Sequence, residues 1–468
     1  MQPFEFLSPS DLDAIHQATM QILHDVGIRF PHQEALDIFK EHGCKVEDQL
    51  VFLEEKQIMD LIKDIPSQFT IQARNPDHHV TIGDGDPVFV PGYGAPFLID
   101  PEQGKRVPSF EDYENLVRLS QVLPNQDMSG HLLVEPQDIP AEAAHLRMVE
   151  ANIRLSDKAF IGSTEGKDGA QHTMDLIEIL FGDPTAGYYT TGLINPLSPL
   201  GYSVDMTDAL LIYARANQPA VIASLIMAGS TGPITLAGVL AQQNAELLSG
   251  IVLTQLVNPG LPVIYGSTST NIDMKTGGLA IGSPELSLCI AAHGQLARHY
   301  GLACRAGGAL TDSSTLDAQA GYESMFGLYT TLTSGIDFVL HAAGILSSYL
   351  AFSYEKFIMD DELCGMLRHF QRGLEVSPDT LAVDIIKNVG HDGHYLGQSH
   401  TIQRCRTEFW LPEIGDRTGM EAWWGGDQLD TAARSRQRWE ELLASYTQPD
   451  LDQTIQKQLK EYIENALE

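Results

Sequence analysis

The chain has 468 residues, of which 43% are hydrophobic and 19% charged, an ordinary globular composition that excludes a disordered or collagen-like protein. It carries 62 acidic and 29 basic residues and a formal net charge of −33, so its field repels nucleic acid and anionic membrane surfaces and attracts cations. The charge fits either simple solubility or a cationic substrate. We expect neither a nucleic-acid nor a membrane partner.

Cysteine usage and the N-terminal sequence predict a cytoplasmic protein. The five cysteines show no C-x-x-C spacing, which argues against a disulfide framework and against a structural zinc site. The first residues, MQPFEFLSPSDLDAIHQ, lack the basic region and the apolar region of a signal peptide. No run reaches the length of uninterrupted apolar sequence that a membrane-spanning helix requires.

Residues 1–86 predict an N-terminal arm of helices followed by a β-hairpin. Ser8-Pro9-Ser10-Asp11 is typical of a helix N-terminus, and apolar residues follow at helical spacing as far as Val26. Two further helices are predicted over 31–42 and 54–64. Alternating apolar residues over 68–86, with turn residues between them, predict the hairpin.

From residue 87 onward, short apolar runs alternate regularly with helical segments. The eight predicted strands cover 88–90, 131–134, 159–161, 188–194, 220–226, 262–265, 303–310 and 337–341. The predicted helices cover 110–122, 140–156, 169–181, 205–216, 234–257, 284–300 and 317–334, with an eighth beyond 344. This pattern predicts an α/β fold, a (β/α)8 barrel over 87–350, with a C-terminal helical extension over 351–468 packed on it. A doubly wound open sheet is the alternative, but no strand is followed by G-x-G-x-x-G.

Chemistry in such barrels takes place at the C-terminal ends of the strands. The predicted ends carry polar or aromatic residues: Tyr93, Glu135, Glu165, Asn195, Ser230, Ser267, Asp312 and His341. We predict that Glu165, Asn195 and Asp312 contribute to substrate binding. Each could instead be a loop residue or a helix cap, and capping is the stronger alternative for Asp312.

Two aromatic-rich segments are candidates for binding a cation, because aromatic rings present negative π-faces. Tyr93 and Phe97 lie in a loop that Gly and Pro residues make tight, directly after the first strand. Phe352, Tyr354 and Phe357 follow the eighth strand. The first group could instead belong to a packed surface loop, and the second could instead pack in the core.

Histidines supply the remaining candidates. His341 ends the eighth predicted strand beside small residues, where an imidazole could donate to a carboxylate or act as acid or base, and we predict it to be catalytic. The alternative is a hydrogen-bonded core histidine. A zinc site at His391, His394 and His400 is disfavoured, because no Cys or Glu completes a ligand set, and we expect no bound metal.

Six segments occur in this order along the chain: GYGAPFLID, ACRAGGALTDSS, DAQAGYES, LHAAGIL, SYEKFIMDDELCGM and GHYLGQSHT. Together they resemble the trimethylamine methyltransferase family, over nearly the whole chain. Archaeal trimethylamine enzymes of this family carry pyrrolysine in the barrel, whereas the corresponding region here, 304–340, has ordinary residues. The chain is therefore similar to the non-pyrrolysine branch, whose members demethylate quaternary amines such as glycine betaine, proline betaine or carnitine.

This resemblance implies methyl transfer from a quaternary amine, glycine betaine before the others, to the cob(I)amide of a separate corrinoid protein. A quaternary nitrogen is already charged, so the leaving amine needs no general acid, and the enzyme must position and desolvate its substrate. It also implies that the chain itself holds no tightly bound cofactor and that a cognate corrinoid protein is its partner. We expect a homo-oligomer. The alternatives are a zinc-dependent barrel methyltransferase and a non-catalytic quaternary-amine binding protein.

Overall fold

The centre of the molecule, a computed structural model that describes residues 3–467, is a sheet of eight parallel strands. They are β1 (Val88–Val90), β2 (Met128–Gly130), β3 (Ala159–Ile161), β4 (Thr190–Ile194), β5 (Ala220–Ser224), β6 (Val263–Ser267), β7 (Ala303–Gly307) and β8 (Phe338–Leu340). Their order is β1-β8-β7-β6-β5-β4-β3-β2. The Asp127 N–H, just before β2, donates to the Phe89 carbonyl of β1 at 2.8 Å, which brings the two edges together. The predicted (β/α)8 barrel is confirmed.

A helix follows each strand and packs on the outside of the sheet. These helices are α1 (Phe110–Val122), α2 (Ala141–Leu155), α3 (Gly166–Phe181), α4 (Val204–Arg215), α5 (Leu236–Val257), α6 (Pro284–Tyr300), α7 (Ala318–Thr333) and α8 (Tyr354–Arg372). Local sequence sets where they begin. At α1 the Ser109 hydroxyl accepts from the Asp112 N–H while the Asp112 carboxylate accepts from the Ser109 N–H, a reciprocal capping box.

The second strand was predicted in the wrong place. It covers Met128–Gly130 rather than residues 131–134. The apolar residues Leu133 and Val134 are buried in a loop, which packs against the loop after β1 and accepts a hydrogen bond from the Gly94 N–H at the Leu132 carbonyl. These residues are therefore apolar because two loops pack together. The residue that ends β2 is His131, not Glu135.

Alternation along the strands separates a barrel interior from a layer between strands and helices. Ala303 of β7 belongs to the interior cluster, whereas Cys304 and Ala306 pack toward the helices. The interior cluster also includes the hairpin Phe69–Ile71 and Val80–Ile82, which packs beneath the N-terminal ends of the strands. The side chain between Ala303 and Gly307 that faces the interior is that of Arg305.

The segment before the barrel contains the helices and the hairpin that the sequence predicts. Its helices are Pro9–Asp25, Gln33–Glu41 and Glu55–Ile62, with a 3-10 turn at Pro76–His78. A small antiparallel sheet, which was not predicted, joins Ile28–Arg29, Leu50–Phe52 and Lys45–Glu47. Helix α5 is long and apolar enough to cross a membrane, but 83% of its most apolar window is buried inside the molecule, so it is the core helix against which this segment packs.

The remaining elements lie around the barrel. A four-stranded sheet beside the C-terminal strand ends joins Ile345–Leu346, Ala351–Phe352, Phe97–Asp100 and Gly104–Arg106. A second small sheet contains Met227–Ala228, Thr270–Ile272 and Leu279–Ala280, and a 3-10 turn covers Pro184–Ala186. After α8 come the short helices Pro378–Leu381, Val383–Val389, Ser399–Arg404 and Met420–Gly425, and then Thr431–Ser445 against α8 and α1 and Gln453–Ala466 against α3 and α2.

Candidate active site

A hydrogen-bonded chain of three side chains joins the C-terminal ends of β1, β2 and β3. The Tyr93 hydroxyl lies 3.0 Å from Nδ1 of His131, and Nε2 of His131 lies 3.1 Å from a Glu165 carboxylate oxygen. The Tyr93 and His131 rings meet edge to face, with centroids 5.8 Å apart. The structure therefore brings together two predicted site residues, Tyr93 and Glu165, through a histidine that was not predicted.

The electrostatics of this chain favour an ionised carboxylate at the barrel mouth. The hydrogen bond from His131 lowers the pKa of Glu165 below its ordinary value. Because an ionised carboxylate only accepts hydrogen bonds, Nε2 of His131 carries a proton. The His131 side chain is 1% exposed and that of Glu165 is 43% exposed, so the buried ring holds a carboxylate that still faces solvent. A negative charge beside the Tyr93 ring is suited to a cation.

His341 is fully occupied by hydrogen bonds within the protein. Its Nδ1 lies 3.1 Å from a guanidinium nitrogen of Arg305, and its Nε2 lies 3.3 Å from the Tyr93 carbonyl. Arginine can only donate, so Nδ1 accepts, and the ring proton is on Nε2 and is donated to the carbonyl. Neither nitrogen is free to donate to a substrate or to exchange a proton with it.

The surroundings of His341 keep the ring neutral. Burial, with a smaller contribution from the charge of Arg305, lowers the pKa of His341 to about 3. Its backbone adopts φ of 64°, a conformation that a residue other than glycine rarely holds without support from its surroundings. The geometry thus does not support the predicted catalytic role, because both ring nitrogens of His341 are held by Arg305 and Tyr93.

We expect His341 to remain neutral when the pH is lowered from 8 to 5. Between its folded pKa and the ordinary value of 6.5 the unfolded chain binds more protons, so the stability contributed by the neutral ring is complete above about pH 6.5 and is lost as the pH falls toward 3. Nitrogen-15 NMR of labelled histidines measures this directly, with the resonance assigned by its loss in His341→Gln. His24, whose pKa Asp25 raises, provides the titrating control. A His341 ring that gains a proton above pH 5 would contradict the assignment.

The loop after β8 explains why Phe352 and Phe357 do not form an aromatic wall. Gly344 has φ of 97°, and a Cβ there would lie 2.3 Å from the Phe352 ring, so only glycine fits above that ring. Phe352 and Phe357 are 0% exposed and pack edge to face. Phe352 also lies against the position a Gly92 side chain would occupy. These rings support the two loops from beneath and present no surface to a ligand, so that prediction is corrected.

Phe97 and Tyr354 contact other side chains of the protein. Lys105 places its ammonium 3.5 Å from the centre of the Phe97 ring, so a cation of the protein itself already occupies that face. The Tyr354 hydroxyl donates to the Asp112 carboxylate, and its ring packs on Trp439. Both residues were predicted to bind substrate, and in the structure they bind other parts of the chain.

Asn195 joins the end of β4 to β5, and Asp312 joins loops at the mouth to one another. The Asn195 amide donates to the Ala223 carbonyl at 2.6 Å. The Asp312 carboxylate accepts the N–H groups of Ile281 and Gly282 and the hydroxyl of Ser348. Asp312 is also not the helix cap, a role that Asp317 fills at α7. The hydrogen bonds of both residues fix the mouth loops and leave neither in the chain formed by Tyr93, His131 and Glu165.

Three residues of this region were missed at the level of sequence: His131, Arg305 and Tyr349. His131 was taken for the start of a strand that in fact ends before it. Arg305 is a charged residue in an otherwise apolar strand, and its alternation with Ala303 would have placed it in the interior. Tyr349 carries no sequence pattern that distinguishes it, since it reaches the His341 ring (centroids 4.8 Å apart) only through the shape of the loop.

Residues 3–467 contain no group of three or more His, Cys, Asp or Glu side chains placed to hold a metal ion. His391 lies in a turn, and the helix Ser399–Arg404 carries His400. The zinc alternative at His391, His394 and His400 gains no support from the geometry.

The fold is a (β/α)8 barrel, and its candidate active site lies at the C-terminal ends of the strands, where such barrels carry out their chemistry. Comparison with known families agrees with the predicted resemblance, which is confirmed: the trimethylamine methyltransferase (MTTB) family matches residues 1–467, and the chain belongs to it. The chain is a methyltransferase.

Among curated relatives, the glycine betaine methyltransferase of Desulfitobacterium hafniense (strain Y51) is 46% identical over 98% of this chain and 96% of its own length. The proline betaine:corrinoid methyltransferase of Eubacterium limosum is 34% identical over 98% of this chain and 97% of its own. The L-carnitine:corrinoid methyltransferase of the same organism is 30% identical over 95% of this chain and 94% of its own.

Among solved structures, the hydroxylamine complex of MtmB matches with a TM-score of 0.51 at 14% sequence identity, covering 93% of this chain and 88% of that one. At this identity the match concerns the fold alone, and it supports the barrel architecture.

Proposed function

We propose that this methyltransferase removes a methyl group from a quaternary amine, glycine betaine in particular, and passes it to the corrinoid of a separate protein. The observation that carries the proposal is the Tyr93 ring after β1 and the ionised Glu165 carboxylate after β3, joined by His131 at the end of β2 between them. A trimethylammonium group has no N–H to donate, so it is recognised by aromatic faces and negative charge. The 46% identity to a glycine betaine methyltransferase supports this choice among quaternary amines.

The residues of the chain have a limited chemical task. When a methyl group leaves a quaternary nitrogen as a cation equivalent, the electron pair of the broken C–N bond stays on nitrogen, and the product is a neutral tertiary amine. No proton has to be supplied. Tyr93 and Glu165 would hold the ammonium and keep water from it, which orients the transferred methyl group outward. The neutral His341 is consistent with a site that needs no general acid.

The methyl acceptor would come from a partner. Glu165 is exposed and Tyr93 is partly exposed, which leaves this end of the barrel accessible to a group carried by another protein. Cob(I)amide, when brought there by such a partner, supplies the nucleophile and becomes methylated. We propose a cytoplasmic protein that holds no corrinoid of its own.

A reconstituted assay tests the proposal. The chain, a reduced corrinoid protein and one quaternary amine are mixed, and the change from cob(I)amide to methyl-cob(III)amide is followed by absorbance. We expect the corrinoid to be methylated faster with glycine betaine than with proline betaine, carnitine or choline. One dimethylglycine should form for each methyl group transferred.

Two controls test the class of amine and the source of the cobalt absorbance. Trimethylamine tests whether a tertiary amine replaces the quaternary one, and we expect no methylation from it. The chain without the corrinoid protein should show no cobalt absorbance. Absence of methyl-cobalt formation with every quaternary amine would refute the proposed function, and a faster reaction with proline betaine or carnitine would correct the substrate.

A further inference from the structure

A buried arginine faces the interior of the barrel without a carboxylate partner. Arg305 is 2% exposed and lies on β7, where alternation with the interior residue Ala303 directs its side chain inward. Among residues 3–467, no Asp or Glu forms an ion pair with its guanidinium, and burial lowers the pKa of Arg305 to about 10, so the group is still charged at neutral pH. The interior therefore contains a positive charge that the described chain does not neutralise.

The guanidinium and a neighbouring hydroxyl both have unused hydrogen-bonding capacity. Arg305 makes one side-chain hydrogen bond, to Nδ1 of His341, and its Nε is buried without a partner. The Tyr349 hydroxyl is likewise buried without a partner at good hydrogen-bond geometry, with the Thr268 side chain as its polar neighbour. Both residues contact the His341 ring, Tyr349 with its own ring edge to face. Two donors with unused capacity thus contact the same imidazole.

Leaving such groups unpaired is costly, since a buried charge needs a counter-charge and a buried donor needs an acceptor. A planar guanidinium and a hydroxyl together match the two oxygens of a carboxylate. The position also matters. In the strand order, three strands separate β3 from β7 on either side, so Arg305 lies across the barrel from Glu165, which follows β3. Negative charge at one wall and positive charge at the other suit a zwitterion.

We propose that Arg305 and Tyr349 bind the carboxylate of a zwitterionic substrate and so make the enzyme select betaines over quaternary amines without an acid group. The choice of a betaine rests on the proposed function, whereas the affinity for a carboxylate does not. His341 is then the positioning residue that orients the guanidinium: its Nε2 is anchored on the Tyr93 carbonyl, and its Nδ1 holds one guanidinium nitrogen and leaves the rest for the ligand.

Comparing the binding of three ligands distinguishes recognition of the ammonium group from recognition of the carboxylate. Glycine betaine carries both charges, choline carries only the ammonium, and 3,3-dimethylbutanoate has the shape and carboxylate of glycine betaine with carbon in place of nitrogen. Binding is measured by calorimetry on the full chain without corrinoid protein, so that the result does not depend on methyl transfer. We expect Arg305→Gln to weaken the binding of glycine betaine and of 3,3-dimethylbutanoate by about 30-fold, because a charge-assisted hydrogen bond is lost. The affinity for choline should change by less than about threefold.

Two further variants provide a control for the change of charge and a milder change at the proposed site. Arg298→Gln makes the same change of charge near the N-terminal end of β8, where Arg298 contacts the Ser334 carbonyl, and it should leave all three affinities unchanged. Tyr349→Phe removes only a hydroxyl and should weaken the binding of glycine betaine and 3,3-dimethylbutanoate about fivefold. If Arg305→Gln fails to fold, this variant still tests whether the site binds a carboxylate.

The outcomes distinguish this proposal from the proposed function. The role of Arg305 would be overturned if Arg305→Gln weakened the binding of choline as much as that of the two carboxylate ligands, or weakened none of them. This holds even if the wild-type chain demethylates glycine betaine. Arg305-dependent binding of 3,3-dimethylbutanoate would support the carboxylate site even if no methyl transfer is observed. In the assay, we expect His341→Ala to raise KM for glycine betaine more than it lowers kcat, as fits a residue that orients the anchor.

Discussion

Replacement of Lys356 by methionine is expected to lower the free energy of unfolding by about 3–5 kcal/mol, the range for breaking one partner of a buried ion pair. Lys356 and Asp360 are both 0% exposed. The Lys356 ammonium donates to the Asp360 carboxylate, to the Ser324 hydroxyl at 2.8 Å and to the Ala309 carbonyl at 3.2 Å. Without the ammonium, Asp360 is left in a site where burial already raises its pKa to about 6.

The double variant Lys356→Met/Asp360→Asn identifies the cause. The introduced amide would be neutral, and its oxygen could still accept the Gly344 N–H, which Asp360 accepts at 2.9 Å, so at least half of the lost stability should return. Lys460→Met is the matched control, because Lys460 is exposed and pairs with Glu464 only at 3.8 Å, and it should change stability by no more than about 0.5 kcal/mol. Urea unfolding measures all three. If the double variant is no more stable than Lys356→Met, the isolated charge is not the source of the loss.

Replacement of Tyr93 by alanine is expected to lower kcat/KM for a quaternary amine by about 10²-fold, or roughly 2.7 kcal/mol of transition-state stabilisation. The ring packs at the upper end of the barrel interior, and a desolvated cation–π contact contributes about 2 kcal/mol or more. The variant also removes the hydroxyl that meets His131 at 3.0 Å, which frees the ring that holds Glu165.

Tyr93→Phe separates the aromatic face from the hydroxyl. It keeps the ring and the backbone carbonyl that accepts from His341, so we expect kcat/KM to fall by no more than about fivefold, the value of one neutral hydrogen bond. Initial rates of methyl-cobalt formation at a fixed concentration of corrinoid protein measure both variants, and melting temperatures show whether each is folded. A Tyr93→Phe variant as impaired as Tyr93→Ala would show that the hydroxyl, rather than the ring, is what matters.

The barrel itself could be predicted from sequence because its evidence is local and repeated. Seven of the eight strands and the helices between them follow from apolar periodicity and from caps such as Ser109 and Asp112, which depend on residues close together in the chain. The exception is the second strand, which was predicted over residues 131–134 but covers Met128–Gly130. The apolar run Leu132-Leu133-Val134 has the composition of a strand, but it is buried by a contact with the loop after β1, and composition does not say against what a residue packs.

The candidate site divides in the same way. Sequence was enough to select Tyr93, Glu165 and His341, because each lies at or shortly after the end of a strand and the barrel places strand ends at one mouth. It could not assign their roles. Whether His341 faces a ligand or Arg305 depends on a hydrogen bond between neighbouring strands, and whether Phe352 forms a wall or a support depends on Gly344 lying above its ring.

The sequence by itself determined the fold class, the family resemblance and the end of the barrel at which to look, since periodicity, turn residues and joint motifs are all written along the chain. Only the tertiary structure decided that Phe352 and Phe357 are buried, that His131 connects Tyr93 to Glu165, and that the strand of Arg305 lies across the barrel from the strand that Glu165 follows. Those facts depend on distances between residues from different strands, and closure of the barrel sets these distances, which no local pattern records.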